Sequence, residues 1–162
     1  MNFRQILKRI SLTVLLAVMI TGAILTYVVT LVRYAETETT ALNQYRISIA
    51  AMSDVETVHS VHRFNGLESY IVAAITHENG ENLYFFIRDG QVLHFFFITD
   101  LINSAAANTI ATGQIPTGEI HRTQLGIIGV TPIFEVQINH DGNVHYIVIN
   151  AENGEIIMQF YT

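Results

Sequence analysis

Residues 69–90 read SYIVAAITHENGENLYFFIRDG, two short apolar runs separated by Asn79-Gly80 and closed by Asp89-Gly90. Runs rich in Val, Ile, Tyr and Phe favour β-strands, because these side chains pack well on a pleated surface. Asn-Gly and Asp-Gly favour tight hairpin turns, because both residues of each pair tolerate a positive φ. This stretch therefore predicts two adjacent antiparallel strands and the turns that connect them to their neighbours.

The same pattern occurs a second time in residues 132–154, PIFEVQINHDGNVHYIVINAENG, with turns at Asp141-Gly142 and Asn153-Gly154. Sliding the chain on itself by 62 to 64 residues aligns the two copies. The aligned pairs are Gly66 with Gly129, Ile75 with Ile138, His77 with His140, Gly80 with Gly142, Tyr84 with Tyr146, Ile87 with Ile149 and Gly90 with Gly154. The chain is therefore predicted to contain two copies of one structural unit.

Each copy is predicted to form about four antiparallel strands preceded by a helix. The predicted strands are Val55–Phe64, Ser69–His77, Asn82–Arg88 and Val92–Ile98 in the first copy, and Gly118–Leu125, Ile133–Asn139, Val144–Asn150 and Glu155–Tyr161 in the second. Helical spacing of apolar residues predicts helices over Tyr34–Met52 and Leu101–Thr112. This is an α+β layout in which each sheet packs on its own helix.

The ends of the second predicted helix carry typical capping residues. Thr99, Asp100 or Asn103 is expected to cap its start, since short polar side chains accept hydrogen bonds from the first free backbone N–H groups. Gly113 is expected to follow its last turn in a left-handed conformation.

The first copy differs from the second in the polarity of its strands. In the second, Phe134, Val136 and Ile138 alternate with polar residues, as in a strand with one wet face. In the first, residues 70–75, 83–87 and 95–98 are apolar on both faces. One helix covers only one face, so the other is expected to meet the second copy, a partner protein or another copy of the chain.

Residues 10–32, ISLTVLLAVMITGAILTYVVTLV, contain no charged side chain. At about 1.5 Å per residue they form a helix roughly 35 Å long, enough to cross a hydrocarbon core of roughly 30 Å. A secretory signal has a shorter apolar run, and the faint cleavage site Thr21-Gly22-Ala23 lies well before this run ends. An uncleaved transmembrane helix is therefore favoured over a cleaved signal.

The charges flanking the span predict its orientation. Arg4, Lys8 and Arg9 precede it without an acidic residue, whereas Glu36 and Glu38 follow it closely. By the positive-inside rule, residues 1–9 are cytoplasmic and the chain beyond the span is outside the cell. From Glu36 on, that outer part carries four arginines against fourteen acidic residues, a net charge of −10, and no lysine. Nucleic acid is therefore not an expected partner.

No residue pattern indicates catalysis or ligand binding. The chain has no cysteine, which excludes disulfides and thiolate metal sites, and it lacks nucleophile motifs such as Gly-x-Ser-x-Gly. Its seven histidines are His59, His62, His77, His94, His121, His140 and His145. His59 and His62, three apart on a strand, are expected to point to opposite faces, and no helical His-x-x-x-His pair occurs. We expect no catalytic, cofactor or metal site and no small-molecule substrate, although protonation of the histidines near pH 6 would reduce the negative charge.

The string Asn150-Ala151-Glu152-Asn153-Gly154-Glu155-Ile156 resembles the closing Asp-x-x-x-Gly-x-Ile hairpin of the PepSY domain, with Asn150 in place of the usual Asp. Together with the span and the strings at 66–72, 83–87 and 132–136, it makes the whole chain similar to the TseB (YpmB) family. These are small single-pass surface proteins of Gram-positive bacteria, described as regulators of cell-wall elongation.

The resemblance implies two cystatin-like domains, 33–98 (TseB-like) and 99–162 (PepSY-type), following the transmembrane helix 10–32. It also implies a non-enzymatic, membrane-anchored extracellular regulator that binds a class B penicillin-binding transpeptidase. The alternative is a PepSY-type inhibitor or chaperone of a secreted peptidase. Family members carry Lys-rich outer helices, whereas this chain has no outer lysine, so no contact residue is transferred from the family.

Overall fold

The computed structural model describes the backbone from Phe3 to Thr162, and the side chains of Val14, 17–33 and 36–162. The elements are α1 (Phe3–Ala50), β1 (Val55–Asn65), β2 (Ser69–His77), β3 (Asn82–Arg88), β4 (Gln91–Phe97), a 3₁₀ turn (Ile98–Asp100), α2 (Ser104–Gln114), β5 (Glu119–Ile128), β6 (Thr131–His140), β7 (Asn143–Asn150) and β8 (Ile156–Tyr161). The strands form two antiparallel sheets, in the orders β1-β2-β3-β4 and β5-β6-β7-β8. The predicted α+β fold of two cystatin-like halves is confirmed.

Contacts along the chain define two compact units, Met1–Ala41 and Leu42–Thr162, and both sheets belong to the second unit. The division predicted between 98 and 99 stays a prediction.

Helix α1 contains an apolar segment suited to a membrane. Ala17–Ala50 includes a stretch long and apolar enough to cross a bilayer, and none of that stretch is buried within the protein. The assignment as a candidate membrane span rests on length and composition alone, and a signal sequence near the N-terminus would also be long and apolar enough to meet it. The predicted span 10–32 overlaps this segment from Ala17 onward. The side chains of Arg4, Lys8 and Arg9, which predict the orientation, lie outside those that the structure describes.

Polar residues within the span bond to its own backbone. The hydroxyls of Thr21, Thr26 and Thr30 donate to the carbonyl oxygens one turn earlier, at 2.8–2.9 Å. Satisfied hydroxyls of this kind are compatible with a lipid environment, where an unpaired polar group is costly.

The end of α1 packs on one face of the first sheet. Ile49 is fully buried, and Leu42, Tyr45 and Met52 lie beside it, at the helical spacing that the sequence predicts. The facing strands contribute Ile71, Ala73, Ile75, Leu83, Phe85 and Ile87. The guanidinium of Arg46 donates to the carbonyl oxygens of Val58 (3.0 Å) and His59 (2.8 Å), where a bulge interrupts β1. The helix thereby satisfies carbonyl groups at the irregular part of the strand.

The second helix, α2, begins at Ser104 rather than at the predicted Leu101, and it ends at Gln114 rather than at Thr112. The side chain of Asn103 accepts a hydrogen bond from the backbone N–H of Ala106 at 2.9 Å, so Asn103 is the N-cap among the three candidates. The expectation for Gly113 is wrong: it lies inside the helix, and the C-cap is Ile115 with φ −134°. The backbone N–H of Ile115 bonds to the carbonyl of Ala111, so the helix continues to Gln114 without a left-handed residue.

The hairpin turns follow the predicted chemistry. Gly80, Gly90, Gly142 and Gly154 all have φ between 77° and 84°. Asp89 and Asp141 also have positive φ, at 52° and 49°, which gives the Asp-Gly turns two successive left-handed residues. Two positive values match the twist of the paired strands, so these two turns set the register of their hairpins.

The second face of the first sheet is covered by the second copy. Phe64, Val72 and Phe86 on that face belong to one continuous core with residues of the second sheet such as Leu125 and Ile133. Phe86 is fully buried and meets Phe96 edge-on, with ring centroids 5.7 Å apart. Of the three predicted occupants of this face, the structure therefore shows the second copy of the repeat.

Candidate protein-interaction surface

The junction between the two sheets is made by β1 and β5. The ring of Phe64 packs against the backbone of Gly126, so closely that a Cβ there would lie 2.4 Å from ring carbons. A ring nitrogen of His62 lies 2.9 Å from the carbonyl oxygen of Leu125, and the amide of Gln124 donates to the carbonyl of Arg63. These contacts fix the two sheets against each other at β1 and β5. The strand at the opposite edge of each sheet, β4 or β8, pairs with only one neighbouring strand among the described residues.

Burial lowers the pKa of His62, and the nearby positive charge of Arg122 lowers it further. The bond to the Leu125 carbonyl acts in the opposite direction, because it favours the protonated ring, but desolvation is the larger effect. His62 is therefore neutral near pH 7 and donates its ring N–H across the junction.

A groove lies between the end of α1 and the outer strands of the first sheet, and we call it the β4 groove. Its volume is about 290 Å³. It is lined by Met52, Asp54, His77, Glu81, Leu83, Phe85, Val92, Phe95 and Phe97. Phe95 is 58% exposed, and its ring lies edge-on to that of Phe97 with centroids 6.4 Å apart. An exposed phenylalanine beside an apolar groove is typical of surfaces that bind another molecule.

Acidic residues surround one end of this groove. Asp54 and Glu81 line it, and Glu78 and Asp100 lie at the same end of the sheet, where β2 ends and just after β4 ends. The ring nitrogen Nε2 of His77 is 4.0 Å from a carboxylate oxygen of Asp54. None of the lining residues is a lysine or an arginine. The groove therefore combines an apolar floor with a negatively charged rim.

The outer strand of the second sheet, β8, also exposes apolar side chains. Ile157, Met158, Phe160 and Tyr161 are each 42–70% exposed. The ring of Phe160 stacks on Tyr146 of the neighbouring strand, with centroids 4.8 Å apart and planes 3° from parallel. Both of these edge strands thus expose apolar side chains, and an apolar groove lies beside β4.

A smaller polar hollow lies between the two sheets. Arg63, Arg122, Gln124, Glu135 and Gln137 are among its lining residues. The amide of Gln137 donates to the carboxylate of Glu135 at 2.9 Å. The hollow mixes both signs of charge and has no apolar floor, so it lacks the character of the β4 groove.

The histidines that the sequence singles out are dispersed over the two sheets. The expectation that His59 and His62 point to opposite faces is wrong, because the bulge between Val58 and Ser60 adds a residue and changes the alternation. His59 bonds to the hydroxyl of Thr76 at 2.7 Å, on the same face as Val72, which pairs with His62. His140 contacts Asp141 and His145, at the turn between β6 and β7. Within the described part of the chain no group of three potential metal ligands occurs, and the prediction of no metal site stays a prediction.

These features define the class: a cystatin-like α+β protein with two sheets, preceded by an apolar helix that can span a membrane. Searches against models of protein families and against curated protein sequences find no match. Solved structures do match. The YpmB protein from Bacillus subtilis matches with a TM-score of 0.61 and 18% sequence identity, covering 78% of this chain and 96% of that protein.

A candidate lipoprotein from Clostridium difficile 630 matches with a TM-score of 0.42 and 13% identity, over 76% of this chain and 91% of that one. The likeness to YpmB agrees with the fold that the resemblance to the TseB (YpmB) family implies.

Proposed function

We propose that this chain is a TseB (YpmB)-type protein: a membrane-anchored extracellular regulator of cell-wall elongation that acts without catalysis, by binding a class B penicillin-binding transpeptidase. The observation that carries the proposal is the match to YpmB over nearly the whole of that protein. The apolar helix in the same position as the family's membrane anchor supports it. The PepSY character of the second half, residues 99–162, belongs to the same proposal and rests on the string from Asn150 to Ile156.

A binding role is supported by the surface. Both free edges carry exposed apolar side chains, and a free edge offers unpaired backbone groups to another chain. The net charge of −10 from Glu36 on favours a partner with a positively charged surface. These features need only contact with a protein, whereas a small-molecule reaction would need convergent polar groups in a deep pocket.

Crosslinking in intact cells tests this proposal. A photoreactive amino acid is placed at exposed positions, Leu93 on β4 and Ile157 on β8, and the captured protein is identified by mass spectrometry. We expect a class B penicillin-binding transpeptidase to be captured from at least one position. Capture of a secreted peptidase instead would favour the alternative, an inhibitor or chaperone. Deletion of the gene is expected to alter the rate of wall elongation, and unchanged elongation would contradict the regulatory role.

A further inference from the structure

We propose that the β4 groove and the free edge of β4 together bind an extended, positively charged segment of a partner protein, which adds to the first sheet as an extra strand. The proposal rests on the proposed function only for the identity of that partner. The binding mode and the chemistry of the segment follow from the backbone, the side chains and the charges of the first sheet.

The backbone of β4 is available for pairing. β4 is the last strand in its sheet, and its ladder joins it only to β3 among the residues that the structure describes. Proteins usually protect such an edge with lysines, other charged side chains or proline. Gln91–Phe97, sequence QVLHFFF, contains none of these. Its ladder has a bulge opposite Phe86 and Ile87, but Phe95, Phe96 and Phe97 keep regular pairing with β3. The edge therefore presents the surface onto which an extended chain can add.

The side chains of β4 supply a position for an apolar anchor. Phe95 pairs with Phe85 across the ladder, and both line the groove on the face that carries the end of α1. Alternate side chains of an added strand point to one face of the sheet, so they would lie over Phe95 and the groove. A volume of about 290 Å³ is at the lower limit of the roughly 300–1,000 Å³ of small-molecule pockets. The groove therefore suits an apolar side chain of a protein segment.

The charges decide the polarity of that segment. Asp54 and Glu81 lie at the groove, and the chain from Glu36 on carries a net charge of −10. A segment with apolar residues over Phe95 and with lysine or arginine at the end that reaches Asp54 and Glu81 would place its positive charges near this rim. Pairing of β4 with β4 of a second copy would bring two acidic surfaces together, which disfavours self-association at this edge.

The test uses the full chain in nanodiscs of zwitterionic lipid and a fluorescently labelled synthetic peptide in which valine alternates with threonine and two lysines stand at each end. Binding is measured by fluorescence anisotropy. Two further peptides are compared with it: one has glutamate at every lysine position, and the other is N-methylated at alternate backbone nitrogens, which blocks strand pairing. We expect the lysine peptide to bind, with an affinity that falls as salt increases, and the other two to bind at least about tenfold more weakly. Equal binding of all three peptides, or no binding of the lysine peptide, overturns the proposal without any variant.

Variants locate the peptide. Phe95→Thr removes the ring but introduces a β-branched residue, which favours a strand, and it is expected to weaken binding of the lysine peptide by at least about tenfold. Phe160→Thr removes an exposed ring from the other edge strand, β8, and is the matched control, with unchanged affinity expected. The double change Asp54→Asn and Glu81→Gln is expected to reduce both affinity and its dependence on salt. Loss of binding from Phe160→Thr, or unchanged binding by Phe95→Thr, contradicts the assignment to β4.

Cell crosslinking separates this inference from the proposed function. If the unaltered chain captures a transpeptidase and Phe95→Thr captures it equally well, the docking surface is wrong and the function stands. If the lysine peptide binds as expected but no transpeptidase is captured, the function is wrong and the docking surface stands. Dimerisation of the unaltered chain that Phe95→Thr abolishes would identify a second copy as the occupant and overturn the proposed partner chemistry.

Discussion

The ring of Phe64 on β1 lies directly on the backbone of Gly126 on β5, at a position where any side chain would meet the ring. Phe64 is only 2% exposed, so its ring has little room to move. We expect Gly126→Ala to lower the free energy of unfolding by about 1–3 kcal/mol, because overpacking a filled core displaces side chains and backbone. Denaturant unfolding of the full chain in nonionic detergent measures this change.

Gly113 provides the matched control for that substitution. It lies in α2, is exposed, and has no atom within 4 Å of an added Cβ. Gly113→Ala is expected to leave stability unchanged or to raise it by up to about 1 kcal/mol, because alanine favours helix. Equal effects of the two substitutions would contradict the close packing of Phe64 on Gly126.

The strands were predictable from sequence, because their signals are local. The turn dipeptides and the apolar runs give β2 and β3 with their observed ends, Ser69–His77 and Asn82–Arg88. The internal repeat then gives the second sheet, because the same local chemistry recurs. The end of α2 was not predictable from Gly113 alone, since glycine is tolerated within the last turn of a helix when no left-handed residue is needed.

The candidate site was less predictable, because it depends on register and on contacts distant in sequence. Leu83–Ile87 is apolar on both faces, but only the assembled fold shows that Phe86 faces the second sheet while Phe85 faces α1. Exposure of Phe95 depends on the position of β4 at the edge of the sheet, which the alternation of residues within the strand does not specify. The bulge in β1, which changes the direction of His59, has no signal in a sequence without glycine or proline.

The lowered pKa of His62 predicts acid-dependent stability. The unfolded chain binds a proton to this histidine at about pH 6.5, whereas the folded chain does so only at lower pH. Stability from the neutral ring is therefore complete above about pH 6.5 and is lost as the pH falls from there through the folded pKa. Below that point the protonated ring lies beside Arg122 at the junction of the sheets.

We expect His62→Gln to reduce the loss of stability between pH 7 and pH 5, because the glutamine amide can donate in place of the ring N–H but does not titrate. His121→Gln, an exposed change on β5, is the control and is expected to preserve the loss. The measurement is the midpoint of urea unfolding across this pH range for the three proteins. Identical pH profiles for all three would show that His62 does not contribute to acid sensitivity.

A side chain at the turn glycines is expected to destabilise the fold, because these residues have a positive φ that side chains disfavour. Gly90 has φ +77° and open space around it, so Gly90→Ala should cost about 1–2 kcal/mol from the left-handed conformation alone. Gly154 has a similar φ, but an added Cβ would also lie 3.1 Å from the end of Ile110, so its cost should be at least as large. Gly22→Ala, within α1 and with nothing nearby, is expected to be silent. The measurement is the midpoint of thermal unfolding for the three variants. An unchanged midpoint for Gly90→Ala would contradict the left-handed turn at this position.

Substitutions of the phenylalanines on β3 and β4 are expected to lower stability by amounts that depend on how deeply each ring is buried. Phe86 is fully buried between the sheets, and Phe86→Ala should cost about 3–5 kcal/mol. Phe85 is also buried, so Phe85→Ala should lower the free energy of unfolding by a similar amount. Because Phe85 faces α1, this substitution should also loosen the contact of Leu42 and Ile49 with the sheet. Phe95→Ala should change stability by less than about 0.5 kcal/mol, because the ring is largely exposed. Hydrogen exchange resolves which contacts are lost, and a large cost at Phe95 would contradict its exposure.

The orientation of the anchor is open to a direct test because the chain has no cysteine of its own. A single cysteine at Asn143, exposed at the start of β7, is expected to react with a membrane-impermeant thiol reagent in whole cells. A cysteine at Asn2 is expected to react only after the cells are lysed, because the positive residues 4–9 retain the N-terminus in the cytoplasm. Reversed labelling would overturn the proposed topology. If residues 10–32 were a cleaved signal, the chain labelled at Asn143 would instead be shorter than the full sequence and would leave the membrane fraction, a result that gel mobility and fractionation both detect.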